Sequence, residues 1–537
     1  MPDSASHGDN MGNGLKAALI SITGPDGVTD DAATRRLHSG DIWSESAEPV
    51  ALVVAPDNLE QLSAITALLH RHQVPLAPRG AGMSYTGGYI PTVSGTVSLD
   101  MRRMNRVIDL RPDDMVVTVE AGCTWIDLNK ALAPHGLRTP FFGPMSGLLS
   151  TIGGGVSQQN AMLGAGHYGT TSESVVALTM VLADGSILRT GARGEDGDTP
   201  FYRHFGPDLT GLFCGDCGAF GTKAHITLRL IQAPKYEDYA SFEFPTGGDL
   251  MRAMAALARA GVAAEMCAFD PGLTRVRMQR ASMTSDVKAL GAVVTRQKSL
   301  LRGLWEAVRV AGAGRSFVSE DSFPLHLNAE GRSAEGVAHD MATARRIAAE
   351  HHGREVANTI AKVIRAMPFP PLNSALGPGG ERWIPIHGQI SLSKAPELYE
   401  AVEQVFAGMA DDFAKLNIKT GYLFTSLSTN ALIVEPVIYW PEKRLPVHYQ
   451  ALEPTHMARL PEHADNPDAT AVVTEARKRL IATFRRFGCG HLQVGRTYPY
   501  RESRDAASQA LLDALKDAVD PARLMNPGVL GFAKGPK

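Results

Sequence analysis

The first half of the chain alternates short apolar runs with glycine-rich turns. The run PVALVVAP at 49–56 has proline at both ends, which is typical of a buried strand. A helix pattern follows, in which Asp57 and Glu60 have the spacing of a capping box. The apolar stripe of this helix comprises Leu59, Leu62, Ile65 and Leu69. The stretch VPLAPRG at 74–80 completes a β-α-β unit, which delivers its glycine turn to one edge of a sheet.

Further strand patterns enclose one unusual segment. The strands are predicted at 96–101, 115–122 and 175–185. Residues 143–171 are rich in Gly, Ser and Thr, have little periodicity, and are too apolar to be a linker. Such a segment inside a compact domain is usually a binding loop. Another glycine loop, at 211–221, leads into the strand pattern HITLRLI.

The character of the sequence changes near residue 233, which predicts more than one domain. The segment CGHLQVGRTYPY at 489–500 lies between two helix patterns and is predicted to be extended. We expect an α+β fold with an N-terminal arm, a first domain, a second domain that mixes strands and amphipathic helices, and a closing segment. Their predicted bounds are 1–45, 46–235, 236–475 and 476–537.

Composition and charge exclude several classes of protein. Of 537 residues, 44% are hydrophobic and 20% are charged, which indicates a packed core and excludes a disordered or collagen-like chain. The formal charge of −3 gives no indication of the basic face that a nucleic-acid-binding protein needs. The five cysteines argue against a disulfide-stapled secreted protein, so we expect a cytoplasmic location. We identify no secretory signal and no apolar run of about 18 residues, the length that spans a membrane.

Three glycine-rich loops fall at the edges of predicted strands. They are PRGAGMSYTGG (78–88), STIGGGVSQQ (150–159) with GAGHYGTT (164–171), and GDCGAFGT (215–222). Glycine lets backbone N–H groups approach a ligand closely, and several such groups together bind the phosphates of a dinucleotide. One such loop is more often a tight turn, but three within one domain favour a dinucleotide site.

Two other motifs are weighed and set aside. The string GAGHYG fits G-x-G-x-x-G, but no strand precedes it and a strand follows, so a Rossmann nicotinamide site is not predicted. Cys214 and Cys217 have C-x-x-C spacing, but no second pair and no H-x-x-x-H lies nearby. Structural cysteines are therefore favoured over a redox or zinc role.

The glycine loops and their neighbours resemble a known family of flavoproteins. The stretches PEPVALVVAPDNLEQLSAI, VPLAPRGAGMSYTGG, SGTVSLDMRRMNRVI, VTVEAGCTWIDLNKAL, STIGGG, HYGTTSESVVALTMVLADG, GLFCGDCGAFGTKAHITLRL and DPARLMNPGVLGF occur in this order. They are similar to the FAD-binding oxidoreductases of the vanillyl-alcohol oxidase / p-cresol methylhydroxylase (PCMH-type) superfamily, which includes D-lactate and glycolate oxidoreductases. The resemblance implies a two-lobed FAD-binding domain at 46–235, an α+β cap domain for the substrate, and a C-terminal segment that returns to the FAD domain.

The resemblance also implies which residues hold the FAD. The first loop would wrap the diphosphate, the second would line the adenine and ribityl side, and the third would complete the pocket. The implied residues are Pro78, Arg79, Gly80, Ala81, Gly82, Met83, Ser84, Pro144, Thr151, Gly153, Gly154, Ser157, Gly169, Gly221, Ile226 and Asn526.

The chain departs from the family at residues that carry specific chemistry. Many relatives attach the flavin through a His in the first loop, where this chain has Met83, and 143–171 contains no Cys. We therefore expect dissociable FAD, while a bond from the cap domain remains open. The metal-dependent D-2-hydroxyacid branch has histidines that FTSLSTNALIVEPVIYW (424–440) lacks, so no metal site is expected. The E-Y-R-T-H stretch of the phenol-oxidising branch is not matched at 491–493 either.

A flavin accepts a hydride, and the protein must position the substrate and help to remove the hydroxyl proton. His387 or His491 would take this proton, and the planar fork of Arg496 would bind an anionic group. By alternation His387 shares a face with Gln389, and His491 shares one with Gln493. The candidate catalytic residues are His387, His491, Arg496 and Gln493. The candidate substrate-binding residues are Tyr85, Arg382, Gln389, Tyr422, Tyr498 and Tyr500.

The predicted function is FAD-dependent oxidation of a small hydroxyl-bearing substrate, with a D-2-hydroxy acid as the first class. A para-substituted phenol or aromatic alcohol is the alternative. Two rival hypotheses are a flavin reductase driven by a pyridine nucleotide and a flavin-binding protein without catalysis. The electron acceptor (oxygen, a quinone or a cytochrome) and the oligomeric state stay open.

Overall fold

The computed structural model describes residues 5–193, 199–280 and 321–535. Residues 281–320, inside the predicted cap domain, lie outside the described residues. The first part of the chain has the strands β1 Val28–Thr29, β2 Leu52–Val54, β3 Leu76–Arg79, β4 Val97–Asp100, β5 Val107–Arg111, β6 Val116–Glu120, β7 Leu137–Arg138, β8 Val175–Val181, β9 Ile187–Arg189, β10 Thr222–Arg229 and β11 Ile231–Gln232. Its helices are α1 Ala5–Thr23, α2 Ala32–His38, α3 Leu59–Arg71, α4 Trp125–Leu132, α5 Ile152–Gln158, α6 Ala165–Tyr168 and α7 Leu209–Leu212.

Two sheets make up most of the first domain. One has the order β1-β2-β4-β3, with β2, β4 and β3 parallel as a β-α-β unit requires. The other has the antiparallel order β5-β6-β10-β8-β9. The glycine loop 80–88 leaves the end of β3, and the loop 215–221 leads into β10. Each of the two sheets thus has a glycine loop at the end of one of its strands.

The second domain is a sheet covered by helices. Its strands are β12 Tyr236–Phe244, β13 Glu265–Phe269, β14 Phe323–Gly331, β15 Arg354–Val356, β16 Arg382–Pro385, β17 Gly388–Ser391, β18 Lys419–Leu427 and β19 Ala431–Trp440. The helices that follow α7 are α8 Gly247–Ala260, α9 Pro271–Arg280, α10 Ala334–Glu350, α11 Thr359–Ala366, α12 Ala395–Ala407, α13 Ala410–Lys415, α14 Pro446–Ala451, α15 Pro454–Met457, α16 Pro467–Arg486 and α17 Ala506–Val519. The strand order is β15-β12-β14-β13-β18-β19-β16, and β17 also pairs with β19. Short 3₁₀ turns occur at Pro25–Gly27, Met101–Arg103, Ala133–His135, Thr171–Ser174, Asn373–Ala375, Leu392–Lys394, Arg501–Ser503 and Val529–Gly531.

The end of the chain returns to the first domain. The Asn526 N–H donates to the Leu76 carbonyl at 2.7 Å, and the Leu76 N–H donates to the Leu524 carbonyl at 2.9 Å, so this segment runs beside β3. A buried ion cluster also joins the domains. Arg138 of β7 pairs with Glu330 of β14, whose other oxygen lies 2.7 Å from the Nη2 atom of Arg365 in α11. The C-terminal segment is therefore held to the first domain by main-chain contacts, and the two domains are joined by charged contacts.

The N-terminal arm at 1–45 contains α1 and α2, and its strand β1 pairs with β2. Two local expectations differ from the structure. The helix α3 is capped by Asn58, whose side chain accepts from the Gln61 N–H, and not by Asp57. The segment 489–500 is not a strand, because Gln493 has φ of +47° and Gly495 has φ of +52°, which turn the chain.

Candidate active site

Loops from both sheets of the first domain meet around one space, which we name the glycine-loop cavity. It lies where the end of β3, the start of α5 and the start of β10 come together. The predicted cofactor residues that line it are Pro78, Arg79, Gly80, Ala81, Gly82, Met83, Ser84, Pro144, Thr151, Gly153, Gly154 and Ser157. Three loops that are far apart in sequence thus converge.

Close approach of the backbone explains the glycines of the first loop. Gly82 has φ of +77°, and a Cβ there would overlap the guanidinium of Arg79. A Cβ on Gly80 would overlap Oγ1 of Thr151. That oxygen caps α5 by accepting a hydrogen bond from the Gly154 N–H at 3.1 Å. Larger residues at these two glycines would push the loops apart and fill the cavity.

Arg79 is the strongest sign that this cavity takes an anion. Its side chain is 1% exposed, and its Nε, Nη1 and Nη2 atoms find no hydrogen-bond acceptor among the described residues. Burial lowers its pKa, and the ring of Tyr89 lies 5.4 Å from the guanidinium carbon. A buried cation without acceptors is costly. A ligand with several anionic oxygens, such as the diphosphate of FAD, fits this donor set.

Some residues that were expected to contact the cofactor lie outside the lining of this cavity. They are Gly169, Gly221, Ile226 and Asn526. Ile226 is buried in the core of the second sheet, within β10. Asn526 braces the cavity from behind, because its Nδ2 donates to the carbonyls of Gly88 and Cys217, both at 2.6 Å. For these residues direct contact with the cofactor stays a prediction that the lining of the cavity does not support.

The sequence reasoning missed other lining residues. They are Gly88, Tyr89, Met101, Ala121, Ser146, Ser150, Gly155, Gln158, Gln159, Asn160, Cys217, Gly218, Thr222 and Lys223. Gln493 also lines the cavity, but it was expected to be a catalytic residue. More than half of the missed residues lie inside the three glycine loops, so naming every residue of each loop would have found them. Lys223 is different, because it lies on β10 and its Nζ is 2.5 Å from Oδ1 of the buried Asp216.

A second space, the inner cavity, lies between the two domains and has a volume of about 230 Å³. It adjoins the glycine-loop cavity, because both are lined by Met83, Pro144, Ser146, Asn160 and Gln493. The second domain contributes Trp383, His387, Leu423, Thr425, Ile433 and Glu435 from one face of its sheet. Among the described residues that line it, Glu435 is the sole carboxylate and none is Arg or Lys.

His387 lies in the wall of the inner cavity with both ring nitrogens occupied. Its Nε2 lies 2.9 Å from both the nitrogen and the carbonyl oxygen of Leu492, so this nitrogen contacts the backbone in either tautomer. Nδ1 lies 3.3 Å from Oη of Tyr498 and 3.9 Å from Oε2 of Glu435. The nearby carboxylate favours the tautomer with its proton on Nδ1, in which Nε2 accepts from the Leu492 N–H.

The charge state of His387 argues against the role that the sequence suggested. Burial, helped by His491, lowers the pKa of His387 to about 3. The ring therefore stays neutral at neutral pH. At this pKa the neutral ring is a weak base, and its two nitrogens face Leu492, Tyr498 and Glu435, so its position does not favour the proton-acceptor role that was expected.

His491 lies beside His387 but faces a different space. Its Nδ1 donates to the His387 carbonyl at 2.8 Å, and its ring stacks on Tyr498 at 3.9 Å. Burial lowers the pKa of His491 to about 4. Its side chain lines an outer cavity of about 700 Å³, which shares no lining residue with the inner cavity. Gln389, Tyr498 and Tyr500 line the same outer cavity, so none of these four belongs to the lining of the inner one.

Gln493 and Tyr85 form the junction between the glycine-loop cavity and the inner cavity. Oε1 of Gln493 accepts from the Ser84 hydroxyl, and its Nε2 donates to Oη of Tyr85, both at 3.0 Å. Burial, followed by the charge of Glu435, raises the pKa of Tyr85. Its phenol therefore stays protonated and can donate a hydrogen bond. The predicted shared face of His491 and Gln493 is wrong, because the turn at Gln493 separates their side chains.

The predicted anion-binding role of Arg496 is not supported by its position. Its Nη1 donates to the Gly87 carbonyl, and its Nη2 donates to Oδ1 of Asn526 at 2.8 Å and to the Pro527 carbonyl at 2.7 Å. It lines neither the glycine-loop cavity nor the inner cavity. Burial lowers its pKa to about 10. Arg496 ties the first glycine loop to the C-terminal segment.

Two further candidates for substrate binding have structural contacts instead. The Nη2 atom of Arg382 donates to the Trp43 carbonyl, and its guanidinium carbon lies 4.8 Å from the ring of Trp440. Tyr422 is buried on the helix side of the sheet, where its hydroxyl donates to Oε1 of Glu403 at 2.6 Å. Both expectations are corrected, since these contacts lie away from the inner cavity.

Glu435 is the functional candidate that sequence reasoning missed. It lies on β19, between the residues that pair with Pro385 of β16 and with Gly388 of β17, and this register sets it opposite His387. A single carboxylate inside the apolar run ALIVEPVIYW was a signal that could have been followed. Its direction depends on strand register, which the local pattern does not reveal.

Two features are absent from residues 5–193, 199–280 and 321–535. Within them, no cluster of three or more His, Cys, Asp or Glu side chains could hold a metal ion. In the same ranges, no helix combines the length and apolar character that crossing a membrane requires.

Comparison with known sequences identifies the first domain. Residues 50–191 match the family described as an FAD binding domain, and residues 494–530 match the C-terminal domain of FAD linked oxidases. The glycolate oxidase subunit GlcD of Bacillus subtilis is 33% identical over 41% of this chain and 45% of its own length. A probable mitochondrial D-lactate dehydrogenase of Danio rerio is 34% identical over 46% of this chain and 48% of its own. The chain thus matches about half the length of these relatives.

Comparison with solved structures covers nearly the whole chain. p-Cresol methylhydroxylase with bound substrate has a TM-score of 0.72 and 16% identity over 97% of each chain. The 4-ethylphenol oxidase of Gulosibacter chungangensis has the same score and identity over 100% of this chain and 99% of its own. These likenesses confirm the predicted fold class, and the family matches confirm FAD as the cofactor. Residues 50–191 and 494–530 are thus similar to families of FAD-linked oxidases, and the fold of the chain is similar to that of p-cresol methylhydroxylase.

Proposed function

We propose that the protein is an FAD-dependent oxidoreductase that oxidises the hydroxyl-bearing carbon of a small substrate in the inner cavity. The observation that carries this proposal is the adjacency of the inner cavity and the glycine-loop cavity, which share five lining residues, among them Gln493. When bound, the flavin supplies the hydride acceptor. A substrate in the inner cavity would lie next to the cofactor and between the two domains, where ligand sites are common.

The protein's own groups would bind the cofactor and orient the substrate. Arg79 and the backbone of its loop would bind the diphosphate. Apolar side chains such as Trp383, Leu423 and Ile433 make much of the inner wall and exclude water. Tyr85 offers a hydrogen bond at the junction with the glycine-loop cavity, where it is held by the amide of Gln493.

The finer proposal is a D-2-hydroxy acid as substrate. Its support is that the matched relatives are named glycolate oxidase and D-lactate dehydrogenase. The comparisons do not favour the phenol or aromatic-alcohol alternative. Because Arg496 lies elsewhere, neutral donors would bind the carboxylate of a hydroxy acid, and Tyr85 and Asn160 lie in the cavity wall. The electron acceptor and the oligomeric state stay open.

We expect D-lactate or glycolate to bleach the flavin absorbance of the purified protein under anaerobic conditions, while L-lactate bleaches it much more slowly. Acid precipitation should release the flavin into the supernatant, because the loop 80–88 contains neither His nor Cys. Vanillyl alcohol, a 4-alkylphenol and NADPH are the comparison compounds. Bleaching by NADPH alone would favour the reductase hypothesis. A flavin that none of these reduces would contradict the proposed function.

A further inference from the structure

We propose that Glu435 is the proton acceptor for the substrate hydroxyl and that His387 positions its carboxylate. This inference rests on the proposed oxidation of a hydroxyl-bearing substrate and names the residue that performs its proton transfer. The sequence suggested a histidine as the acceptor of the hydroxyl proton. The contacts of the two histidines in the structure favour Glu435 for this role.

The position of Glu435 gives it access to a substrate. Its side chain is 16% exposed and lies in the wall of the inner cavity. The neighbouring wall contains Trp383 and Ile433, which shield it from bulk water on the sheet side. A carboxylate held in a shielded site of this kind is a common general base for a hydroxyl proton.

The two histidines near Glu435 are occupied by other contacts. Nε2 of His387 faces the backbone of Leu492, and its Nδ1 faces Tyr498 and Glu435, so neither nitrogen directs a lone pair at a substrate. His491 donates from Nδ1 to the His387 carbonyl and lines the outer cavity. Burial lowers both pKa values, to about 3 and about 4, so both rings stay neutral at neutral pH. Glu435 is the remaining basic group among the described residues that line the inner cavity.

Three described groups that lie near Glu435 fit this role. Nδ1 of His387 lies 3.9 Å from Oε2, beyond hydrogen-bond distance, so its N–H acts on the carboxylate through its dipole and does not neutralise it. Burial raises the pKa values of Tyr85 and Tyr498, and the negative charge of Glu435 raises both further, as expected of phenols that lie near it. These three groups are neutral donors. None of them competes with Glu435 for the proton of the substrate.

The step balances in atoms and electrons. The substrate O–H bond breaks and its proton passes to a carboxylate oxygen of Glu435. The C–H bond would break with its electron pair and a carbonyl would form, while FAD held by the glycine loops would supply the acceptor for the hydride. The two electrons that the substrate loses would be those that this acceptor gains. Glu435 then releases its proton to water before the next turnover.

The test compares variants in anaerobic stopped-flow reduction of the FAD-loaded protein, with the substrate that bleaches the wild type. We expect Glu435→Gln to slow flavin reduction by roughly 10²- to 10⁴-fold, while the substrate Kd changes by less than about tenfold. The matched control is Glu403→Gln on the other side of the sheet, where glutamine can still accept from Tyr422. It should reduce at the wild-type rate. FAD content and the thermal midpoint report whether each variant is folded, and Glu435→Asp serves if Glu435→Gln is not.

The pH profile separates the base from the positioning residue. In the wild type the reduction rate should rise with pH and level off as one group ionises. Glu435→Gln should remove this rise. His387→Asn should keep it and move it to higher pH, because the carboxylate loses a donor that favours its ionised form. Retention of the rise in Glu435→Gln, or its loss in His387→Asn, would overturn the proposal. A wild type that no substrate reduces would instead contradict the proposed function itself.

Discussion

Arg79→Met should weaken FAD binding and stabilise the FAD-free protein at the same time. In the FAD-bound protein the guanidinium would lose charge-assisted hydrogen bonds to the diphosphate, which are worth roughly 1.5–3 kcal/mol each. We therefore expect the FAD Kd to rise by about 10²- to 10³-fold. In the FAD-free protein the same guanidinium is buried and has no acceptor among the described residues. An apolar side chain of similar length should then raise the free energy of unfolding by about 1–4 kcal/mol.

Two measurements check that Arg79→Met weakens FAD binding and stabilises the FAD-free protein. Flavin fluorescence during FAD titration gives the Kd, and urea denaturation of the FAD-free protein gives the free energy of unfolding. The control is Arg102→Met, because Arg102 pairs with Asp100, with 2.6 Å between Nη2 and Oδ2. Loss of that pair should lower the stability of the FAD-free protein and leave the FAD Kd nearly unchanged. If Arg79→Met bound FAD as tightly as the wild type, the assignment of the diphosphate to this loop would be wrong.

The residues around the cofactor could be predicted from the sequence because the sequence signals for them are local. Gly80 and Gly82 occur where the backbone passes close to Thr151 and Arg79. The packing constraint therefore acts on the same residue that reveals it in the sequence. Asn526 shows the limit of this reasoning. The family pattern marks it as a cofactor contact, whereas its amide holds two loops and does not line the cavity.

The substrate side was harder to predict because its geometry depends on distant pairings. Glu435 faces the inner cavity only through the register of β19 with β16 and β17. Arg496 was assigned to an anion because arginine suits carboxylates, yet its long side chain reaches carbonyl groups at Gly87 and Pro527.

Simple alternation also failed between the two cap strands. It predicted one face for His387 and Gln389, but His387 lines the inner cavity and Gln389 lines the outer one. The physical reason is that β16 ends at Pro385 and β17 begins at Gly388, so the strand is interrupted just where the alternation would have to continue. An interruption of this kind depends on the partner strand and leaves little trace in the local sequence.

The stability of the protein should fall steeply between about pH 7 and about pH 5, because several buried histidines resist protonation. Burial lowers the pKa values of His38, His387 and His448 to about 3, and that of His491 to about 4. In the unfolded chain each titrates near about 6.5. Below that pH the unfolded state binds protons that the folded state does not, so the stability present above about pH 6.5 is lost as the pH falls.

Each such histidine should cost about 2 kcal/mol at about pH 5, since one pKa unit corresponds to about 1.4 kcal/mol. Buried acids such as Asp41 and Asp270, whose pKa values are raised by burial, contribute with the opposite sign. A variant at one histidine therefore isolates the contribution of that histidine better than the pH dependence of the wild type, which sums the contributions of all these groups.

His448→Gln is the informative variant, because His448 is buried and lines neither the glycine-loop cavity nor the inner cavity. Its Nδ1 accepts from the Leu445 N–H at 2.9 Å, a contact that an amide oxygen can replace. Between about pH 7 and about pH 5 this variant should lose about 2 kcal/mol less than the wild type in urea denaturation. His135→Gln replaces an exposed histidine and should leave the wild-type loss unchanged. An equal loss in His448→Gln and in the wild type would mean that the buried ring accepts its proton without unfolding, by opening its site to water.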